Sequence, residues 1–322
     1  MTLDIVYKLL AIFATIGVGW LAIRLRWFDV VAADVDPSRI LGQVSMMIFV
    51  PALLFRTMSR MDLSHMPWTA AQAYFLPAAA WAVAVYLWQR RQPRAGLPAA
   101  PASRTVSAVY GNGVQLGVPM AAALFGEPGL AIHIALVSLH GVILLTLLTV
   151  FAELDLARHD RTVTLAQTVR TTLRNTLIHP VVLPVILGLS WNLTGLGLHP
   201  VLDATLLGLG SAVVPVCLLM IGMTLGIYGV GGQVRGAALL SASKLLVLPA
   251  LVLVVARWGF GLQGLPLQVC VMMAALPAGT NALIFAQRYR TLEPEATAVI
   301  VMSTAAFMGT ATLWLAVLTW IA

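Results

Sequence analysis

Charge is scarce in this sequence. Asp, Glu, Lys and Arg make up 10% of 322 residues against 60% hydrophobic residues, and the mean hydropathy is +0.93. A soluble core cannot hide that much apolar surface, which excludes a water-soluble globular protein and leaves a polytopic membrane protein. Cysteine is limited to Cys217 and Cys270, both inside apolar runs, which excludes a disulfide framework or a Cys-x-x-Cys metal site. The twelve acidic residues (Asp4, Asp29, Asp34, Asp36, Asp62, Glu127, Glu153, Asp155, Asp160, Asp203, Glu293 and Glu295) all map to loops or helix ends. Proton or sodium antiport through a buried aspartate pair lacks the carboxylate it needs at depth. No Gly-x-Ser-x-Gly elbow or His-Glu-x-x-His site occurs, so an enzyme lacks its parts, with no catalytic residue, cofactor or metal called for.

Apolar runs of about 20 residues, the length that spans a bilayer, number ten. The expected all-α helices cover 5–25, 38–58, 67–89, 104–125, 129–151, 176–195, 201–228, 235–259, 266–288 and 295–321. The first run has no basic stretch before it and no Ala-x-Ala site after it, and is expected to stay as a helix. A polar stretch at 153–175 divides the chain into residues 1–152 (helices 1–5) and 176–322 (helices 6–10). Pro51 answers Pro215, Pro77 answers Pro249 and Pro128 answers Pro294, in the same order and at separations of 164, 172 and 166 residues. Five helices is an odd number, so the halves form inverted repeats.

The formal charge of +7 and pI near 10.0 suggest nucleic acid in a soluble protein. Here the basic residues sit in short loops, fourteen on one side (Arg24, Arg26, Arg39, Arg90, Arg91, Arg94, Arg104, Arg158, Arg161, Arg170, Arg174, Arg235, Arg288 and Arg290) and four on the other (Lys8, Arg56, Arg60 and Arg257). The positive-inside rule places the richer side and the 153–175 linker in the cytoplasm and both termini outside the inner (plasma) membrane. Membrane lipids are the expected surroundings, nucleic acid is not a partner, and Trp20, Trp27, Trp68, Trp81 and Trp88 read as interfacial anchors. The small residues Gly208, Gly210, Ser211, Gly222 and Gly226 would admit a partner helix, and a homodimer through helices 2 and 7 is the expected assembly.

Two hydrophobic segments are interrupted at corresponding places: Gly111-Asn112-Gly113-Val114-Gln115-Leu116-Gly117-Val118-Pro119 in helix 4 and Leu276-Pro277-Ala278-Gly279-Thr280-Asn281 in helix 9. Unwound backbone inside a membrane must face protein or a watery cavity, and paired breaks point to a transporter site. Gly113-xxx-Gly117 on its own reads equally as a helix-packing motif; Asn112, Pro119 and the matching break in helix 9 are not needed for packing. Half-helix N-termini there favour a carboxylate, with Asn112, Gln115, Thr280 and Asn281 as neutral donors and acceptors.

The runs Val109-Tyr110-Gly111-Asn112-Gly113, Gly117-Val118-Pro119 and Leu124-Phe125-Gly126-Glu127, with Leu276-Pro277-Ala278-Gly279-Thr280-Asn281-Ala282, Ala286-Gln287-Arg288-Tyr289 and Ser303-Thr304, resemble the auxin efflux carrier family, including bacterial malonate or organic acid permeases. The resemblance implies a fold similar to bile-acid symporters, with helices 4 and 9 broken and crossing. It also implies an elevator movement of helices 3–5 and 8–10 against a scaffold of helices 1, 2, 6 and 7. The long cytoplasmic loop of the plant hormone exporters is absent.

Lys244 lies nine residues past Arg235 and thirteen before Arg257, too deep for easy snorkelling. It either pairs with substrate, neutralises carbonyl ends of the broken helices in place of a sodium ion, or reaches an interface after a helix shift. His133 and His140 share a helix face, as a proton relay or as hydrogen-bond partners of a neighbouring helix.

The expectation is a secondary carrier of a small organic anion such as malonate, with Asn112, Gly113, Gln115, Gly117, Pro119, Pro277, Gly279, Thr280 and Asn281 at its substrate site and Lys244 as the crossing charge. The alternatives are a carrier of bile-acid-like or auxin-like amphipathic acids, a channel, which would need a continuous polar lining, and a membrane enzyme.

Overall fold

The computed structural model describes residues 3–28, 37–60, 68–91, 97–159, 182–228 and 234–321. These residues are helical with no strand among them. From residue 160 onward, the expected 153–175 linker lies outside the described residues, and its first residues belong to a helix that runs on to His159.

Among the described residues six stretches are long and apolar enough to cross a membrane: Ile40–Ser59, Trp68–Arg90, Gly113–Leu156, Pro200–Met223, Arg235–Gly259 and Glu293–Ile321. The third has 44 residues and bends at Gly126 (φ 65°, ψ −164°), a conformation essentially restricted to glycine, immediately before Glu127-Pro128. Phe13–Arg24, Leu183–Leu193 and Gly264–Ala275 are shorter apolar helices. The protein is therefore a multi-pass membrane protein.

The chain forms two compact units. The first holds Met1–Met66, Val114–Ser138 and Leu177–Gly229. In it α1 (Leu3–Arg24) runs along α10 (Val213–Tyr228), and α3 (Val50–Ser59) packs on α8 (Val182–Leu193) and α9 (Pro200–Ser211). The α1 contact depends on missing side chains, since a Cβ at Gly19 would strike the Leu219 carbonyl and one at Gly222 the Ile16 carbonyl. Gly222 and Gly226, expected to admit a partner helix, thus seat α1 of the same chain, and Gly210 rests on Leu53. Asn192 Nδ2 donates to the Met58 and Ser59 carbonyls at 3.1 and 3.0 Å, satisfying acceptors that every helix end leaves open. Arg56 and Arg60 both reach Asp203 in the first turn of α9.

The second unit holds Pro67–Gly113, Leu139–Thr176 and Val230–Ala322. Its helices are α4 (Trp68–Arg90), α5 (Ala100–Val109), α7 (Thr146–His159), α11 (Val234–Ala242), α12 (Leu248–Val254), α13 (Gly264–Ala275), α14 (Asn281–Arg288) and α15 (Glu293–Ile321). Trp81, expected at an interface, is half-buried in α4 and donates its indole N–H to Ser243 Oγ at 3.2 Å.

Widened π-helical turns at Ser45–Phe49, Gly113–Gly117 and Ser243–Val247 each end two residues before a proline: Pro51, Pro119 and Pro249. Proline offers no N–H to the carbonyl four residues back and its ring crowds that carbonyl, so the turn before it opens. At Pro249 the unmet acceptor is Leu245 O, and the Trp314 indole donates to it at 2.8 Å. This turn presents Lys244.

Candidate functional site

The α5 helix stops at Val109 because Tyr110 turns extended (φ −79°, ψ 108°). The α13 helix stops at Ala275 because Leu276 precedes Pro277 and the proline ring disfavours helical geometry before it; Leu276 has φ −56° and ψ 145°. The two unwound strips pair antiparallel, Gly111 opposite Ala278. Asn112 N–H donates to Pro277 O at 2.7 Å and Gly279 N–H to Tyr110 O at 3.2 Å. A third backbone donor, Ala278 N–H, goes to Ser303 Oγ of α15 at 3.1 Å. The broken backbone is thus satisfied by protein, as an apolar environment demands.

The chain is tightly packed at both closest points. A Cβ on Gly279 would stand 3.1 Å from Gly111 O and 3.2 Å from Asn112 Cα, and one on Gly111 would stand 3.3 Å from Lys244 Nζ. Replacing Gly279 with Val is therefore expected to push the strips apart and destabilise the fold by about 1–3 kcal/mol, read as a lower melting temperature. A Gly279→Val protein that melts with wild type would contradict this packing.

Lys244 is fully buried, and its Nζ donates to Ala274 O in the last turn of α13 at 2.5 Å. No carboxylate pairs with it among the described residues. Its charge is set against the negative end of a helix dipole, where the last carbonyls lack intrahelical partners. An outward reach to an interface is thereby overturned.

Other expected residues fall as follows. Pro277 and Gly279 are buried in the strip, Asn112 is half-buried, Thr280 is exposed, and half-buried Asn281 opens α14 with its side chain hydrogen-bonded to Tyr110. Gly113 closes the second unit's strip; Gln115, Gly117 and Pro119 belong to the first unit, Gln115 half-buried and the other two buried. His133 and His140 are both buried on α6 (Val118–His140), His133 in the first unit and His140 in the second. The His140 ring lies 4.3 Å from that of Tyr110, and Tyr74 and Phe75 meet it edge-on.

Two features lay beyond sequence reasoning. Arg104 of α5 forms a buried fork with Glu295 of α15, at 3.0 and 3.1 Å, and donates to Gln89 at 3.1 Å. Tyr289 donates its O–H to Glu153 of α7 at 2.8 Å. Partners 191 and 136 residues apart leave no spacing signal. Among the described residues no cluster of His, Cys, Asp and Glu could hold a metal.

Comparison with known proteins finds both a family and an individual relative. The family model described as "Membrane transport protein" matches residues 4–315. The chain is also similar to a protein of Methanothermobacter thermautotrophicus described as an "Uncharacterized transporter", 25% identical over 291 residues, 88% of this chain and 90% of that protein.

Proposed function

This chain belongs to the membrane transport protein family, the auxin efflux carrier family, and on that premise we propose that it is a secondary carrier of a small organic anion, malonate-like in size. The observation that carries the reading is the placement of Lys244. Two broken helices that meet bring both carbonyl and N–H ends to one place, and those ends normally cancel. Here the carbonyl end of α13 is covered by the Lys244 amino group, so its negative end is offset and the positive N-terminal end of α14, with the side chains of Asn112, Thr280 and Asn281, remains to favour an anion. A carboxylate then needs no sodium ion beside it.

Substrate contacts are assigned to Asn112, Thr280 and Asn281, with Gln115 following Asn112 along the chain. The architecture proposed is ten helices in two inverted repeats, with an elevator movement of helices 3–5 and 8–10. Support comes from the second unit, which gathers helix 3, the first half of helix 4, the last part of helix 5 and helices 8–10 in one compact body, while residues 114–138 belong to the first unit. A homodimer through helices 2 and 7 fits the exposure of Met47, Ile48, Leu202 and Leu207 and the open space over Gly208.

The site is tested with Asn112→Ala and Asn281→Ala. Each is expected to weaken anion binding by about 1–3 kcal/mol, the cost of a hydrogen bond to a charged group, without unfolding the protein. Wild-type affinity in both folded variants would take them out of the site. Orientation is tested by a cysteine added after Ala322. The fourteen-to-four loop charge bias predicts that an impermeant thiol reagent labels it in intact cells, whereas labelling only after permeabilisation would reverse the topology.

A further inference from the structure

Away from the crossing, the second unit carries a cavity of about 620 Å³ between α4 and α11. Its walls are apolar: Trp81, Ala84, Val85 and Trp88 on α4, Leu239 and Leu240 on α11. Trp88 and Leu239 are 51% and 66% exposed, so the wall faces outward and is not closed by the unit's own core.

The two helices run in register. Trp81 bonds to Ser243 at one level, and seven or eight residues along, Gln89 and Gly236 both border the Arg104–Glu295 fork. Seven helical residues rise about 10 Å, so the slot extends about that far along the helices. It ends where α4 finishes at Arg90 and α11 begins beside Arg235.

Charge is distributed unevenly along the slot. Arg104 at its floor already donates to both Glu295 oxygens and to Gln89, so the floor holds no spare cation for a free anion. At this end, taken as the mouth, the chain carries Arg91 directly after α4 and Arg235 in the first turn of α11; neither lines the cavity itself, and both are exposed and form no ion pair among the described residues. A small dicarboxylate inside the slot would meet apolar walls with no charge to pair with. A molecule with an anionic head and a long apolar tail meets the basic mouth and the tryptophan-lined wall together.

We propose that this slot binds an anionic membrane phospholipid, its headgroup at Arg91 and Arg235 and one acyl chain against Trp81, Trp88 and Leu239. The site is separate from the crossing and independent of what the carrier moves.

The experiment uses the full chain in lipid bilayers containing phosphatidylglycerol or phosphatidylcholine probes that carry the same photoactivatable acyl chain, with labelled peptides mapped by mass spectrometry. Label is expected to concentrate on residues 81–89 and 236–243 and to be stronger for the phosphatidylglycerol probe, on the order of tenfold. Arg91→Gln with Arg235→Gln should remove the headgroup preference. Ala84→Trp, which fills the slot from an exposed position on its wall, should remove the label while the melting temperature holds. Excess glycerol 3-phosphate should not compete. Label spread evenly over the outward helices, equal labelling by both probes, or full labelling of a folded Ala84→Trp protein would overturn the proposal. Competition by glycerol 3-phosphate would reassign the slot to a soluble organophosphate.

Discussion

Replacing Lys244 with Ala is expected to lower the melting temperature and to make binding dependent on sodium. The side chain is fully buried and its ammonium group answers a carbonyl in the last turn of α13. Removing it uncovers that helix end and empties the space of a long side chain, in a setting that relaxes only partly. Losses of this kind run to about 2–5 kcal/mol, and buried charge arrangements broken on one side cost about as much. A sodium ion, small and oxygen-seeking, is the natural substitute for the missing charge beside Ala274 O. Lys244→Met, which keeps most of the volume and none of the charge, separates packing from electrostatics and should retain the sodium effect with a smaller loss of stability. Melting temperature and substrate binding are measured in sodium and in choline. A strongly sodium-dependent wild type together with an unperturbed Lys244→Ala would contradict the role given to this residue.

The second large effect belongs to Arg104 and Glu295. Arg104→Ala should cost about 3–5 kcal/mol, because Glu295, only 3% exposed, loses the two-pronged guanidinium contact that offsets its burial. Glu295→Ala should cost a similar amount for the mirror reason. The double variant Arg104→Met with Glu295→Met, carrying no charge to strand, should lie much nearer to wild type, with a coupling that a double-mutant cycle reads directly. Additive losses, with the double variant as unstable as the two single variants combined, would show that the fork contributes nothing as a pair.

How legible these features were in the sequence depends on their range. The helix interruptions at 110–112 and 276–280 are local chemistry, glycine and proline where an apolar helix should continue, and they stand out in the bare chain. So does the depth of Lys244, since it follows from counting residues to Arg235 and Arg257. Its partner does not, because Ala274 is an ordinary apolar residue until folding brings its carbonyl beside Nζ. Arg104 and Glu295 read as loop and helix-end charges for the same reason; 191 residues of chain hide their pairing. The prolines at 51, 119 and 249 predict disturbed helices, but whether the backbone kinks or widens depends on which neighbour takes the orphaned carbonyl, as Trp314 does for Leu245. Gly222 and Gly226 announced close helix contact, and composition alone could not say that the contact is with α1 of the same chain.

The central claim, that a small organic anion is carried through the crossing, is tested most directly by counterflow in proteoliposomes. Vesicles loaded with unlabelled malonate and diluted into labelled malonate in sodium-free buffer should show saturable uptake with a transient overshoot, strongly reduced by Asn112→Ala and Asn281→Ala. Flux that rises linearly with concentration, or a protein that exchanges only amphipathic acids of bile-acid or auxin size and no small carboxylate, would contradict it.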